Sequence, residues 1–75
     1  MEFDETLDAL GLLCPLPVLK ARKRLLGMQA GQTLRVLADD PAAVVDIPHF
    51  CRESGHEFIG HTRLAVGSEY FIRKN

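Results

Sequence analysis

The run Leu12-Leu13-Cys14-Pro15-Leu16-Pro17-Val18 constrains this chain more than any other stretch. A short apolar strand precedes it and a basic amphipathic helix follows. Proline suits the start of a helix, because its ring presets φ and the N–H it lacks would have no partner there. Pro17 still falls within the first turn and removes no intrahelical hydrogen bond. The run therefore reads as a strand-to-helix joint, with Cys14 at or next to the N-cap. A sulfur there faces the positive end of the helix dipole and the free N–H groups of Leu16 and Val18. Both favour thiolate over thiol, the form in which a cysteine is nucleophilic. The two prolines stiffen the turn, so the sulfur is held in a fixed direction.

The rest of the pattern builds outward from that joint. Thr6 to Leu10 alternates, with Leu7 and Ala9 on one side, and reads as strand one. Helix one spans about Pro15 to Gly27. Its apolar stripe is Val18, Ala21, Leu25 and Met28, widened by Leu19 and Leu26. Lys20, Lys23 and Arg24 take the opposite side. Arg22 projects into the apolar arc, either packing its stem and extending its head to water or pairing with Asp39 or Asp40. Thr33 to Ala38 is strand two. Asp40 and Pro41 then open helix two as N-cap and N1, with Ala43, Val44, Ile47, Phe50 and Cys51 as its buried stripe. Pro48 falls inside that helix and must kink or split it, with Asp46 as a second cap. Gly55 ends it in the left-handed conformation. Phe58 to Thr62 and Glu69 to Arg73 are strands three and four, with Gly67 and Ser68 between them.

The order βαβαββ predicts an α+β fold. The first three strands run parallel through right-handed helical crossovers, and the last is reversed by a hairpin. Two helices on one face of a four-stranded mixed sheet make a two-layer α/β sandwich. With 75 residues, the expectation is one domain over residues 1–75 with a modest core. No stretch approaches the ~20 apolar residues of a membrane span. The first residues, Met1-Glu2-Phe3-Asp4-Glu5, lack the features of a signal peptide, which points to the cytoplasm and to two free thiols. A net charge of −1 and only four Phe and one Tyr argue against direct nucleic-acid binding.

Cys14 carries the chemical interest. Its expected position is the sheet edge where parallel α/β structures bind ligands. A dithiol oxidoreductase needs a resolving thiol three residues on, and that residue is Pro17. A cysteine hydrolase needs a histidine base, and His49, His56 and His61 all fall away from this edge. Their spacings of seven and five residues also form no metal site. What remains is a thiolate suited to take a group from one protein and give it to another, sulfane sulfur among them. Cys51 belongs to the core, about 15 Å below the edge, too far from Cys14 for a disulfide, which needs under ~7 Å. Asp39 and Asp40 read as a strand end and a helix cap, or as an acidic mark for a partner. Lys20, Lys23 and Arg24 are a solvated face or a docking surface for an acidic partner.

The chain resembles the TusA (SirA-like) family of sulfur carriers over nearly its whole length. The segments that carry the likeness are Thr6–Leu12, Cys14-Pro15-Leu16-Pro17-Val18, Arg22-Lys23, Met28-Gln29, Ala38-Asp39-Asp40-Pro41-Ala42, Asp46-Ile47-Pro48, Phe50-Cys51, His56-Glu57 and Ile72-Arg73-Lys74. The resemblance implies a sulfurtransferase in which Cys14 carries a persulfide and Pro15 and Pro17 shape the site. The donor would be a pyridoxal-phosphate cysteine desulfurase. The acceptor would be the next protein of a relay ending at 2-thiouridine in the wobble position of tRNA. The chain itself would hold no cofactor and no metal, and would work as a monomer in transient complexes. Lys20, Arg22, Lys23, Arg24, Asp39 and Asp40 are the candidate docking residues. Family relatives also serve sulfur oxidation beside rhodanese-like proteins, molybdenum-cofactor synthesis, and gene regulation. A non-catalytic binding or regulatory module is the rival from another class.

Overall fold

In the computed structural model, which describes residues 1–75, the chain runs β1 (Glu5–Asp8), α1 (Leu16–Leu26), β2 (Thr33–Ala38), α2 (Ala43–Ser54), β3 (Glu57–Arg63), β4 (Ser68–Arg73). The sheet order is β1-β2-β4-β3. Strands β1 and β2 pair in parallel, with Leu7 opposite Val36. Strand β4 is antiparallel to both β2 and β3. Strands β1, β2 and β3 therefore share one direction, and β4 enters between β2 and β3. The βαβαββ order and the mixed sheet are those the sequence predicts.

Alternation along the strands separates two faces. Leu7, Leu34, Val36, Ala38, Tyr70 and Ile72 point at the helices, and all are buried. Ala21 and Leu25 of α1 and Ala43, Ile47, Phe50 and Cys51 of α2 close over them. On the open face Phe71 is also buried. Phe3 lies over it with ring centroids 6.2 Å apart, and Arg35 sits 5.2 Å above the Phe3 ring while pairing with Glu69 at 2.8 Å. A polar ion pair and one N-terminal aromatic thus cover much of what the helices leave uncovered.

Several local expectations need correction. The buried side of α1 is Pro17, Ala21 and Leu25, whereas Leu19 and Leu26 are exposed. Both leucines lie on the side of the helix turned away from the sheet, where no second layer exists to cover them. Helix α2 begins at Ala43, with Ala42 as its N-cap residue and no side-chain cap. Asp40 and Pro41 form a preceding turn, in which the Asp40 carbonyl accepts the Ala43 N–H at 3.0 Å. Of the kink or split expected at Pro48, the split does not occur: α2 runs unbroken to Ser54, Asp46 caps nothing, and Val44, expected in the buried stripe, is exposed. Pro48 costs one hydrogen bond, the one to the carbonyl of Val44, a residue already exposed to water. Gly55 adopts φ 82° as the helix ends.

Candidate functional site

Cys14 is exposed at the carboxyl end of β1, one residue before the N-cap of α1. Pro15 is the N-cap residue, joined to Cys14 by a cis peptide bond, and Pro17 lies buried in the first turn. The two prolines thus sit at the helix start as the sequence predicts, one position earlier in the cap. The Leu16 N–H is not offered to the sulfur, because it donates to the carbonyl of Leu13 at 2.9 Å.

Two aspartates from the end of β2 fasten this joint. Asp39 Oδ1 accepts the N–H of Gly11 at 3.0 Å. Asp40 Oδ2 accepts the N–H of Cys14 at 2.7 Å, and its Oδ1 accepts that of Ala42 at 3.3 Å. Gly67, in the β3–β4 turn with φ +71°, packs against the same corner. A Cβ there would stand 2.8 Å from the Ala38 carbonyl and 3.2 Å from Asp39 Cβ. Only glycine combines that dihedral with that closeness. Asp39 and Asp40 also line a groove of about 460 Å³ with Pro41, Val44, His61, Arg63 and Tyr70.

Asp46 is the residue the sequence reading missed as part of this site. It lies in the first turn of α2, and its carboxylate stands within 4.8 Å of the Cys14 sulfur. Sγ of Cys14 and one oxygen each of Asp40 and Asp46 lie within 4.8 Å of one another. The electrostatic consequence reverses the expected one. The Cys14 thiol is pushed up from the ordinary value of 9.0, first by the Asp46 carboxylate as an acceptor for its proton, then by local desolvation, then by the charges of Asp46 and Asp40. Carboxylates in contact with the sulfur outweigh a helix terminus whose nearest N–H is already engaged. The available signal was helical phase: Asp46 falls beside the buried stripe of α2, on the flank turned toward the start of α1.

The basic residues of α1 divide. Arg24 donates to Glu5 at 3.4 Å and to the carbonyl of Thr6 at 3.1 Å, tying the helix to β1. Lys20 and Lys23 are exposed beside it, lining a shallow hollow with Glu5, Leu7 and Gly27. Arg22 is exposed and pairs with neither Asp39 nor Asp40. Cys51 is buried, and burial pushes its thiol up to about 11. Two of the histidines stand apart, whereas His61, against expectation, lines the groove beside Asp39 and Asp40. His49 is paired with Glu53 at 3.6 Å, His56 accepts the N–H of Asn75 at 3.2 Å, and His61 is stacked on Tyr70 at 4.7 Å.

The arrangement offers one accessible sulfur, directed by a rigid turn, with no second thiol at hand to resolve a mixed disulfide. Such a group can form and release one covalent bond to a sulfur atom of another molecule. No helix is long and apolar enough to cross a membrane. Comparison with known proteins agrees with this chemistry. The crystal structure of a SirA-like protein from Desulfitobacterium hafniense superposes with a TM-score of 0.79 at 27% identity, covering 93% of this chain and 95% of that one. The family model described as sulfurtransferase TusA matches residues 5–74. An exposed cysteine on a proline-braced helix start, on this fold and within that match, places the chain in the TusA sulfurtransferase family.

Proposed function

We propose that this chain is a carrier of sulfane sulfur that works as a single domain in the cytoplasm and holds its cargo as a persulfide on Cys14. The observation that carries the reading is the pairing of one exposed thiol with one buried thiol. The first is free to react, and the second is in no position to resolve what forms. The donor is a pyridoxal-phosphate cysteine desulfurase, and the acceptor is a further sulfur-relay protein on the way to 2-thiolation of the wobble uridine of tRNA. Cofactor and nucleic acid belong to those partners.

Sulfur enters in one displacement. The Cys14 sulfur attacks the terminal sulfur of the donor persulfide, the donor S–S bond breaks, and the donor sulfur leaves with the electron pair. The proton given up by Cys14 ends on the departing donor thiolate. Pro15 and Pro17 hold the attacking sulfur in direction, and Asp40 fixes its backbone through the Cys14 N–H. Lys20, Arg22 and Lys23 supply cationic surface for docking, while Arg24 serves mainly to anchor α1. A transient complex of this kind needs only a small interface.

Intact mass after incubation with a cysteine desulfurase and cysteine tests the proposal. Wild type and Cys51→Ser should each gain one sulfur atom that reductant removes, and Cys14→Ser should gain none. No gain on wild type with several desulfurases, followed by loading from a rhodanese-type donor, would shift the assignment to oxidative sulfur trafficking. No gain from either donor would leave the binding-module reading.

A further inference from the structure

The surroundings of Cys14 carry a sign of charge that bare sulfur transfer does not require. Asp40 comes from the end of β2 and Asp46 from α2, and each brings a carboxylate oxygen into a cluster with Sγ less than 4.8 Å across. Asp39 stands alongside, bonded to Gly11. Arg63 and His61 line the groove beside Asp39 and Asp40, but neither is paired with them. Neither Asp40 nor Asp46 takes part in an ion pair. On α1, the helix that Cys14 introduces, Arg24 is committed to β1, Lys20 and Lys23 line the hollow beside it, and Arg22 pairs with neither Asp39 nor Asp40. The charged groups that act on the thiol are Asp46 and Asp40, both negative.

We propose that Asp46 and Asp40 act as a charge filter on Cys14: sulfur centres flanked by a cation react there, and anionic ones are turned away. The physical reason is direct. Attack requires negative charge on Sγ at a few ångströms from two carboxylates, and that repulsion falls only when a positive group is brought between them. A partner cysteine with a Lys or Arg beside it supplies that group on docking. A free anionic thiol or persulfide supplies further repulsion instead. Asp46 is here a positioning residue, acting on the reacting atom through the charge of a carboxylate within 4.8 Å of it. The identity of the natural partner rests on the sulfur-carrier reading above, whereas the filter itself is a property of the cysteine and its neighbours.

Small symmetrical disulfides test the filter without a protein partner. In each reaction Cys14–SH and R–S–S–R give Cys14–S–S–R and R–SH. The Cys14–sulfur bond forms, the reagent's S–S bond breaks, and the proton lost from Cys14 is taken up by the leaving thiolate. The cationic reagent is cystamine and the anionic one is dithiodiglycolate, compared on the full chain at neutral pH and low salt by intact mass. Wild type should react about tenfold faster with cystamine, after correction for the rates of both reagents with free cysteine, and the preference should shrink as salt is added. Asp46→Asn should lose most of the preference and Asp46→Glu should restore it. With neutral iodoacetamide, Asp46→Asn should move the pH midpoint of Cys14 alkylation downward. A wild-type preference near one, or an unchanged preference in a folded Asp46→Asn, overturns the proposal. The wild-type salt series decides it even where the variant fails to fold. Failure of loading from both desulfurase and rhodanese-type donors with the disulfide preference intact would overturn the carrier reading and leave the filter standing.

Discussion

Cys14 and Cys51 carry the same thiol into opposite settings. Cys14 stands exposed at the joint between β1 and α1, and Cys51 lies buried in the stripe of α2 that packs on the sheet. Both thiols are pushed above the ordinary value, for unrelated reasons. At Cys51 the cause is loss of water, which penalises the thiolate wherever it is buried. At Cys14 water is present, and the first cause is a carboxylate that holds the proton. Exposure at a helix start therefore does not by itself make a reactive thiolate. What distinguishes Cys14 from Cys51 is access and direction.

The sharpest way to break the comparison is to exchange the roles. Cys14→Ser should abolish sulfur loading outright, and Cys51→Ala should leave it within twofold or so of wild type, read by intact mass. Loading that needed both residues would mean that Cys51 reaches the surface during turnover. The next largest effect is expected at the corner that steadies the Cys14 end. Gly67→Ala combines a positive φ with a Cβ 2.8 Å from a backbone oxygen. It should cost about 2–3 kcal/mol in chemical denaturation, with the strain felt at Asp39 beside it.

Cys51→Ala should cost less, roughly 1–2 kcal/mol, from the void left under α2. The same variant sharpens the comparison through pH. The folded chain holds the Cys51 proton to about 11, whereas an ordinary thiol ionises at 9.0. The contribution of Cys51 to stability is therefore fully present below pH 9 and is lost as pH rises through about 11. Denaturation midpoints across that window should fall more steeply for wild type than for Cys51→Ala. The smallest effect belongs to Arg24→Ala. Its contact with Glu5 is long at 3.4 Å and half exposed, so less than about 1 kcal/mol should be lost. A larger loss would show that the bond to the Thr6 carbonyl holds α1, and with it the Cys14 joint, in place.

Much of this was legible in the sequence because it depends on neighbours along the chain. Alternation in Thr33–Ala38 sets a strand whose bounds the structure reproduces, and Gly55 ends α2 in the conformation that glycine permits. Pro15 and Pro17 mark the start of α1, and Cys51 sits in phase with Ala43 and Ile47 on a buried stripe. Elsewhere local rules compete with longer-range ones. Asp40 has the residue type and the following proline of a helix cap, yet its carboxylate is drawn to the Cys14 N–H and α2 starts later. Leu19 and Leu26 widen the apolar stripe by helical spacing, but a two-layer fold has nothing to place over that side of α1.

The sequence by itself determined the order of elements, the place of Cys14 at the start of α1 and the stiff turn that presents it, since each follows from periodicity and from the geometry of proline and glycine over a few residues. The tertiary structure alone decided that β4 enters between β2 and β3, and that Cys14 is surrounded by acid. Asp40 and Asp46 meet the sulfur only after β1 and β2 pair in parallel and α2 packs beside α1. Charge interactions depend on distance through space, which spacing along the chain does not supply.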